Sequence, residues 1–314
     1  MTAIIDIVLP VFAVILTGYL VAKTRLFTRD GIKVISNFVF FVPMPALLFR
    51  TLARGTVDPA ADLGIVYAYF LGCFIVFAIG MAVGRIAFSL KTEEQGLLGM
   101  GAVFGNTIML GIPLVYTAFG DPGLVQVMLI VTFHSALLIP LATIVIEVGR
   151  GAGGHPFAVA GAALVSLAKN PVIVSMVLGL LWAQLDWTIP GVLDRFLALL
   201  GSAGIPSSLF ALGATLTTFH LGGDLRQSAT LIALKLLLLP VTIWVLTSQV
   251  FHLDPLAIAV ATVMAALPTG INVFILAERY ERYVARSATA VLVSTALAAV
   301  TIAVVLGHFA PAPH

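Results

Sequence analysis

Two stretches decide the reading of this chain: Phe104-Gly105-Asn106-Thr107-Ile108-Met109-Leu110-Gly111-Ile112-Pro113 and Ala266-Leu267-Pro268-Thr269-Gly270-Ile271-Asn272. Each lies midway along an apolar run. Each gathers Gly, Pro, Thr and Asn within a few residues. Proline inside a helix removes a hydrogen bond and clashes with the preceding turn. In lipid, the backbone groups so freed must be buried in protein or line a cavity. The two stretches therefore predict two helices that unwind at mid-membrane.

The surrounding composition makes the membrane setting firm. Of 314 residues, 61% are hydrophobic and 10% are charged, against about a quarter charged in a soluble domain. Mean hydropathy is +1.13. A soluble enzyme, a disordered chain and a nucleic-acid binder are excluded, and the net charge of +2 is too small for a phosphate-binding surface. One cysteine, Cys73, excludes a disulfide framework and a cysteine-built metal site.

Charge-free windows predict ten spans: 7–22, 34–49, 63–84, 95–120, 122–146, 170–185, 196–223, 236–253, 255–277 and 287–314. The apolar runs are continuous rather than alternating, which argues against a β-barrel. Phe157–Ala168 is expected to lie in the interface as a short linking helix. Lys23, Arg25, Arg29 and Lys33 follow the first span and no Lys or Arg precedes it, so it is not expected to be a cleaved signal peptide. Loops after spans 1, 3, 5, 7 and 9 carry 12 Lys+Arg; the opposite side carries Arg50, Arg54 and Arg195. That bias predicts that both termini face away from the cytoplasm.

The halves repeat at an offset of 161 residues. Pro10, Val11, Gly18 and Leu20 fall on Pro171, Val172, Gly179 and Leu181; Pro45, Leu48 and Phe49 fall on Pro206, Leu209 and Phe210. Five spans per half is an odd number, so the second half must enter the membrane from the opposite side. The expected organisation is a five-span repeat over 1–149, a linker over 150–168, and an inverted five-span repeat over 169–314. The same offset sets 266–272 on 105–111, which predicts that the two broken helices cross near the bilayer centre.

A broken helix presents free N–H groups and a positive dipole end. Two such breaks suit a small anion with no need of a buried Lys or Arg. The expected substrate-binding residues are Asn106, Thr107, Gly111, Pro113, Pro268, Thr269, Gly270 and Asn272. Pro43 and Pro45 in span 2, and Pro206 with Ser207 and Ser208 in span 7, either open the backbone around this site or kink helices to fit. Pro45, Ser207, His134, Ser135, Glu147 and Lys235 are secondary candidates for contact with substrate or for ion coupling. His134 is either a packing residue or a proton carrier, and Glu147 either a solvated helix end or a proton-linked carboxylate. Lys235, seven residues into the run Ala229–Phe251 that holds span 8, is expected to snorkel toward the cytoplasmic face. The sequence contains no Walker A loop, no HExxH and no GxSxG. No enzymatic activity and no cofactor are expected.

Three further stretches point to a family. They are Asn37-Phe38-Val39-Phe40-Phe41-Val42-Pro43-Met44-Pro45 with Leu47-Leu48-Phe49, Lys169-Asn170-Pro171, and Pro206 to Gly213. Together with Gly105-Asn106-Thr107 and Gly111-Ile112-Pro113, they resemble the auxin efflux carrier family, in its bacterial branch of malonate and malate permeases. The resemblance covers essentially the whole chain. It implies an all-α fold like that of bile-acid transporters and sodium/proton antiporters, with a scaffold domain set against a transport domain. It also implies that spans 4 and 9 are the crossover helices, with Asn106, Pro113, Pro268 and Asn272 at the substrate, and that Glu147 matches a glutamate near the end of span 5. Plant members carry an acid and a lysine in span 3, whereas here no charge lies between Asp62 and Arg85.

The expected function is secondary transport of a small organic anion, a dicarboxylate such as malonate, across the cytoplasmic membrane. The alternatives are efflux of an amphipathic monocarboxylate such as an indole acid, and a membrane ligand sensor. Expected partners are the anion, a co-transported proton or sodium ion, the bilayer, and a second copy of the chain in a homodimer.

Overall fold

The computed structural model describes residues 2–24, 26–54, 63–151, 161, 165, 168–185 and 187–309. The linking helix expected at 157–168 falls almost wholly outside them. The first half contains α1 (Thr2–Lys23), α2 (Arg29–Phe41), α3 (Pro43–Arg54), α4 (Leu63–Phe88), α5 (Thr92–Val103) and α6 (Ile112–Gly149). A π-helical turn, Thr107–Gly111, leads into α6. The second half contains α7 (Pro171–Gln184), α8 (Gly191–Ser202), α9 (Gly204–Leu216), α10 (Leu225–Ala233), α11 (Leu239–Val245), α12 (Pro255–Ala265), α13 (Ile271–Tyr280) and α14 (Val284–Phe309). Two more π turns, Leu234–Leu238 and Leu246–Val250, flank α11. No named strand occurs among the described residues.

Six helical runs are long and apolar enough to cross a bilayer, and Ile7–Lys23, Pro171–Gln184 and Pro255–Ala265 are shorter apolar helices. The chain is a multi-pass membrane protein. Of the ten windows, 7–22 and 170–185 fall on the shorter helices Ile7–Lys23 and Pro171–Gln184, two join and one is interrupted. Windows 95–120 and 122–146 meet in one run of 43 residues, Thr107–Gly149. At 1.5 Å per residue that run is about 65 Å long, twice the hydrocarbon thickness, so it must turn. It does so at Gly120, whose φ of 64° and ψ of −154° suit only glycine. Window 255–277 is interrupted between α12 and α13.

Helix starts are encoded locally. Asn170 Oδ1 accepts from the N–H groups of Val172 and Ile173, and Asp254 Oδ1 from those of Leu256 and Ala257. Each cap precedes a proline at the first helical position, where no N–H is needed. Leu9, Leu16, Leu20, Val192, Val300 and Val304 are more than half exposed, a pattern that suits contact with lipid.

The packing follows glycines. α1 lies along α9, and α3 lies along α7. Gly18 presses on the carbonyl of Phe210, and a side chain on Gly179 would begin 2.9 Å from the carbonyl oxygen of Phe49. Adding 161 to Gly18 gives Gly179, and adding it to Phe49 gives Phe210. The interruption at Val42, between α2 and α3, likewise lies 161 residues before the one at Ala203, between α8 and α9.

Candidate functional site

The helix of span 4 opens at Phe104, with φ −78° and ψ 106°, and has not resumed at Asn106, with φ −79° and ψ 69°. The helix of span 9 ends at Ala265 and is extended at Gly270, with φ −75° and ψ 149°. The two opened segments meet. Asn106 donates its N–H to the carbonyl of Pro268 at 3.0 Å, and Gly270 donates to the carbonyl of Phe104 at 2.8 Å. These bonds frame one antiparallel bridge between Gly105 and Thr269.

Glycine permits this approach. A side chain on Gly270 would begin 2.9 Å from the carbonyl oxygen of Gly105 and 2.9 Å from the Phe104 ring. Each half therefore supplies backbone partners that the other lost on unwinding. Side chains satisfy more of the opened backbone. Thr269 N–H donates to Ser294 Oγ at 3.0 Å, Thr269 Oγ1 donates to the Gly101 carbonyl at 3.2 Å, and Gly105 N–H donates to His134 Nε2 at 3.1 Å. The histidine thus holds the crossover backbone, and its Nδ1 must then carry the proton in the neutral ring. Nδ1 is buried with no hydrogen-bond partner among the described residues, as is the Tyr69 hydroxyl.

The bridging bonds exchange under a shift of 164 residues, since Phe104 maps on Pro268 and Asn106 on Gly270. The sequence offset of 161 is therefore three residues out at this point. Asn106 and Asn272 are not equivalents. Asn106 is 9% exposed at the bridge, and its side chain does not cap the turn that follows. Asn272 is exposed on the first turn of α13. Thr107, Gly111, Pro113, Pro268, Thr269 and Gly270 are buried at or beside the crossing. At these helix starts the Thr107 N–H donates to the Gly105 carbonyl at 2.9 Å and the Val273 N–H to the Gly270 carbonyl at 3.1 Å, while the N–H groups of Ile108 and Asn272 lie in first turns that offer no carbonyl four residues back in the same helix.

Lys235 departs from expectation. It does not snorkel: its side chain is fully buried. The π turn Leu234–Leu238 carries it inward, and Nζ donates to the Ala265 carbonyl, the last of α12, at 2.6 Å. Nζ also lies 3.6 Å from where a side chain on Gly105 would begin. The crossover thus has a buried amine that the sequence reading placed elsewhere. Ser294 and the Ala265 carbonyl were also missed, because a lone serine in an apolar helix and a backbone carbonyl leave no distinctive residue pattern.

The secondary candidates do not form one cluster. Ser135 adjoins His134 and is half-buried. Glu147 accepts from the Tyr280 hydroxyl at 2.7 Å near the end of α6. Pro45 and Ser207 are half-buried at the kinks of α3 and α9, and α9 packs against the Thr107–Gly111 turn. At one end of the molecule, Asp194 binds Arg50 at 2.9 Å and Arg54 at 2.8 Å, while Thr51 donates to Asp121 at 3.2 Å.

Comparison with known proteins places this architecture. The family described as "Membrane transport protein" matches residues 3–306. The chain belongs to this family. It is 28% identical over 302 residues to a Rhizobium meliloti protein named "Putative malonate transporter", covering 96% of this chain and 94% of that one. It is 26% identical over 307 residues to "Uncharacterized transporter YfdV" of Escherichia coli, covering 95% and 94%. It is 23% identical over 330 residues to "Auxin efflux carrier component 5" of Arabidopsis thaliana, covering 92% of each. The resemblance to the auxin efflux carrier family therefore holds over the whole chain, and the family is one of membrane transporters rather than enzymes.

Proposed function

We propose that the protein is a secondary carrier of a small organic anion, a dicarboxylate such as malonate, and works by alternating access across the cytoplasmic membrane. The observation that carries this reading is the bridge between Gly105 and Thr269. It holds two helix breaks face to face in a largely dry place. Helix-start N–H groups and the Lys235 amine give that place positive character. Asn106, at its edge, supplies an amide that can orient a carboxylate. The malonate transporter name of the Rhizobium meliloti relative agrees with this substrate class.

The proposal includes ten spans in two inverted five-span repeats. The recurrence of the Gly18–Phe210 contact as Gly179–Phe49 supports it, as does the matched interruption at Val42 and Ala203. Both termini would then be extracytoplasmic. A cysteine placed at position 2 should react with an impermeant thiol reagent in intact cells; labelling only after permeabilisation reverses the orientation.

Counterflow in proteoliposomes tests the function. Labelled malonate should exchange against internal malonate, and more slowly against indole acetate. Exchange of indole acetate alone would favour a monocarboxylate carrier. Binding with no exchange of either would favour a sensor.

A further inference from the structure

Lys235 is a buried amine with no counter-charge among the described residues. Its side chain is fully buried, and its hydrogen bond among the described residues runs to a neutral carbonyl, that of Ala265. The ion pairs among the described residues involve Asp194, Glu93 and Glu94, none of them with Lys235. The helices packed on its π turn are α4, α5, α10, α11 and α14, and its side chain reaches the end of α12. Of these, α4, α12 and α14 contain no Asp or Glu. The acids of α5, Glu93 and Glu94, lie in its first turn, at the opposite end from the break; α10 offers Arg226, and α11 no titratable group. Among the described residues, Cys73 on α4 and His134 on α6 are titratable groups that interact electrostatically with Lys235. Tyr69, one turn before Cys73, is buried beside the His134 ring. Asp121 and Glu147 each lie 13 residues from His134 along α6, about 20 Å of helix.

An ammonium in such a place carries a desolvation penalty that no carboxylate offsets. The carbonyl end of α12 helps, because a helix C-terminus is its negative pole. An anion seated at the crossover would add a full opposite charge close by. Nζ is 3.6 Å from the side-chain position of Gly105, and Asn106 is the next residue. The turn that carries Lys235 and the turn that follows Asn106 are both π-helical, a conformation frequent at functional sites.

We infer that Lys235 is the proton-binding partner of the transported anion: the amine takes a proton from water as the anion binds at the crossover and returns it when the anion leaves. One proton then moves with each anion, without a sodium ion. Linkage is reciprocal, so the anion raises proton affinity at Nζ by the same factor as the proton raises anion affinity. The inference rests on the proposed anion site at the crossover and names the coupling within it.

The test counts protons. The purified full chain in detergent is titrated with malonate in buffers of different ionisation enthalpy, from mildly acid to alkaline pH. The expected result is uptake approaching one proton per malonate at alkaline pH, with Kd rising toward tenfold per pH unit. Lys235→Arg, which keeps a charge that does not titrate, should bind malonate with no proton uptake and a flat pH profile. Lys235→Met should bind weakly at every pH. If Lys235→Arg does not fold, proton uptake by the parent and its absence in Lys235→Met carry the same comparison. Binding by the parent with no uptake at any pH overturns the inference and leaves the anion site standing. Uptake that survives Lys235→Arg but disappears in His134→Gln moves the proton to the histidine and likewise overturns it. A parent protein that binds neither malonate nor malate overturns the anion site, and the inference with it.

Discussion

Two pairs of helices in this protein carry prolines, and they respond differently. In spans 2 and 7 the interruption is slight. Ala203 keeps helical angles, and the bonds from Ala46 N–H to the Val42 carbonyl and from Ser207 N–H to the Ala203 carbonyl carry the chain across. Pro43 begins α3 and Pro206 lies in the first turn of α9, where a missing N–H costs nothing. In spans 4 and 9 the helix is lost for several residues. There the freed groups have partners on the other broken chain, through the bridge of Gly105 and Thr269. Proline content alone does not decide whether a membrane helix kinks or opens. The deciding factor is whether something nearby can take up the exposed backbone.

The comparison can be broken most severely where α1 packs on span 7 of the kinked pair. Gly18→Val drives a branched side chain into the Phe210 carbonyl. The cost should reach or exceed the about 1–3 kcal/mol of an overpacked core, seen as loss of a monodisperse peak on gel filtration. A variant that elutes and transports like the parent would show that α1 and α9 can separate freely.

At the open pair the fold should survive while binding suffers. Asn106→Ala removes an amide beside the bridge. A lost hydrogen bond to a charged group is worth about 1.5–3 kcal/mol, or about a ten- to hundredfold weaker malonate Kd. Asn106→Asp should be worse, since it sets like charges together. Unchanged binding in both would place the anion away from the crossover.

Gly270→Ala asks whether the bridge itself matters. Its side chain would begin 2.9 Å from the Gly105 carbonyl oxygen, so the bond from Gly270 N–H to Phe104 must lengthen. Losing one such bond costs about 0.5–1.5 kcal/mol, and exchange in proteoliposomes should fall by up to about tenfold. Gly105→Ala has 3.5 Å of clearance and should fall less. The smallest effect belongs to Pro206→Ala, which restores an N–H in a first helical turn; exchange should stay within about twofold. A larger loss there would mean that span 7 opens during the transport cycle.

Much of this was legible in residues that act on their own neighbours. Asn170-Pro171 and Asp254-Pro255 announce their helix starts, and Gly105, Pro268 and Gly270 mark the breaks. What stayed hidden depends on how distant segments meet. The three-residue change of register at the bridge arises because Asn106 pairs with Pro268, which no repeat offset foretells. The inward course of Lys235 depends on a π turn and on α12 ending at Ala265. An apolar sequence such as Leu234-Lys235-Leu236-Leu237-Leu238 distinguishes neither.

The bridge also sets an order of assembly. During synthesis, Phe104 and Asn106 leave the ribosome long before Pro268 and Gly270. Until span 9 arrives, the Asn106 N–H and the Phe104 carbonyl lack the partners that the finished fold gives them. In hydrocarbon each unpaired group costs several kcal/mol. The nascent first half must therefore either stay helical through 104–106 or keep that segment near water or the insertion machinery. In the first case the fourth span opens late, when the ninth docks on it; in the second it is already open and docking of the ninth draws it into the membrane.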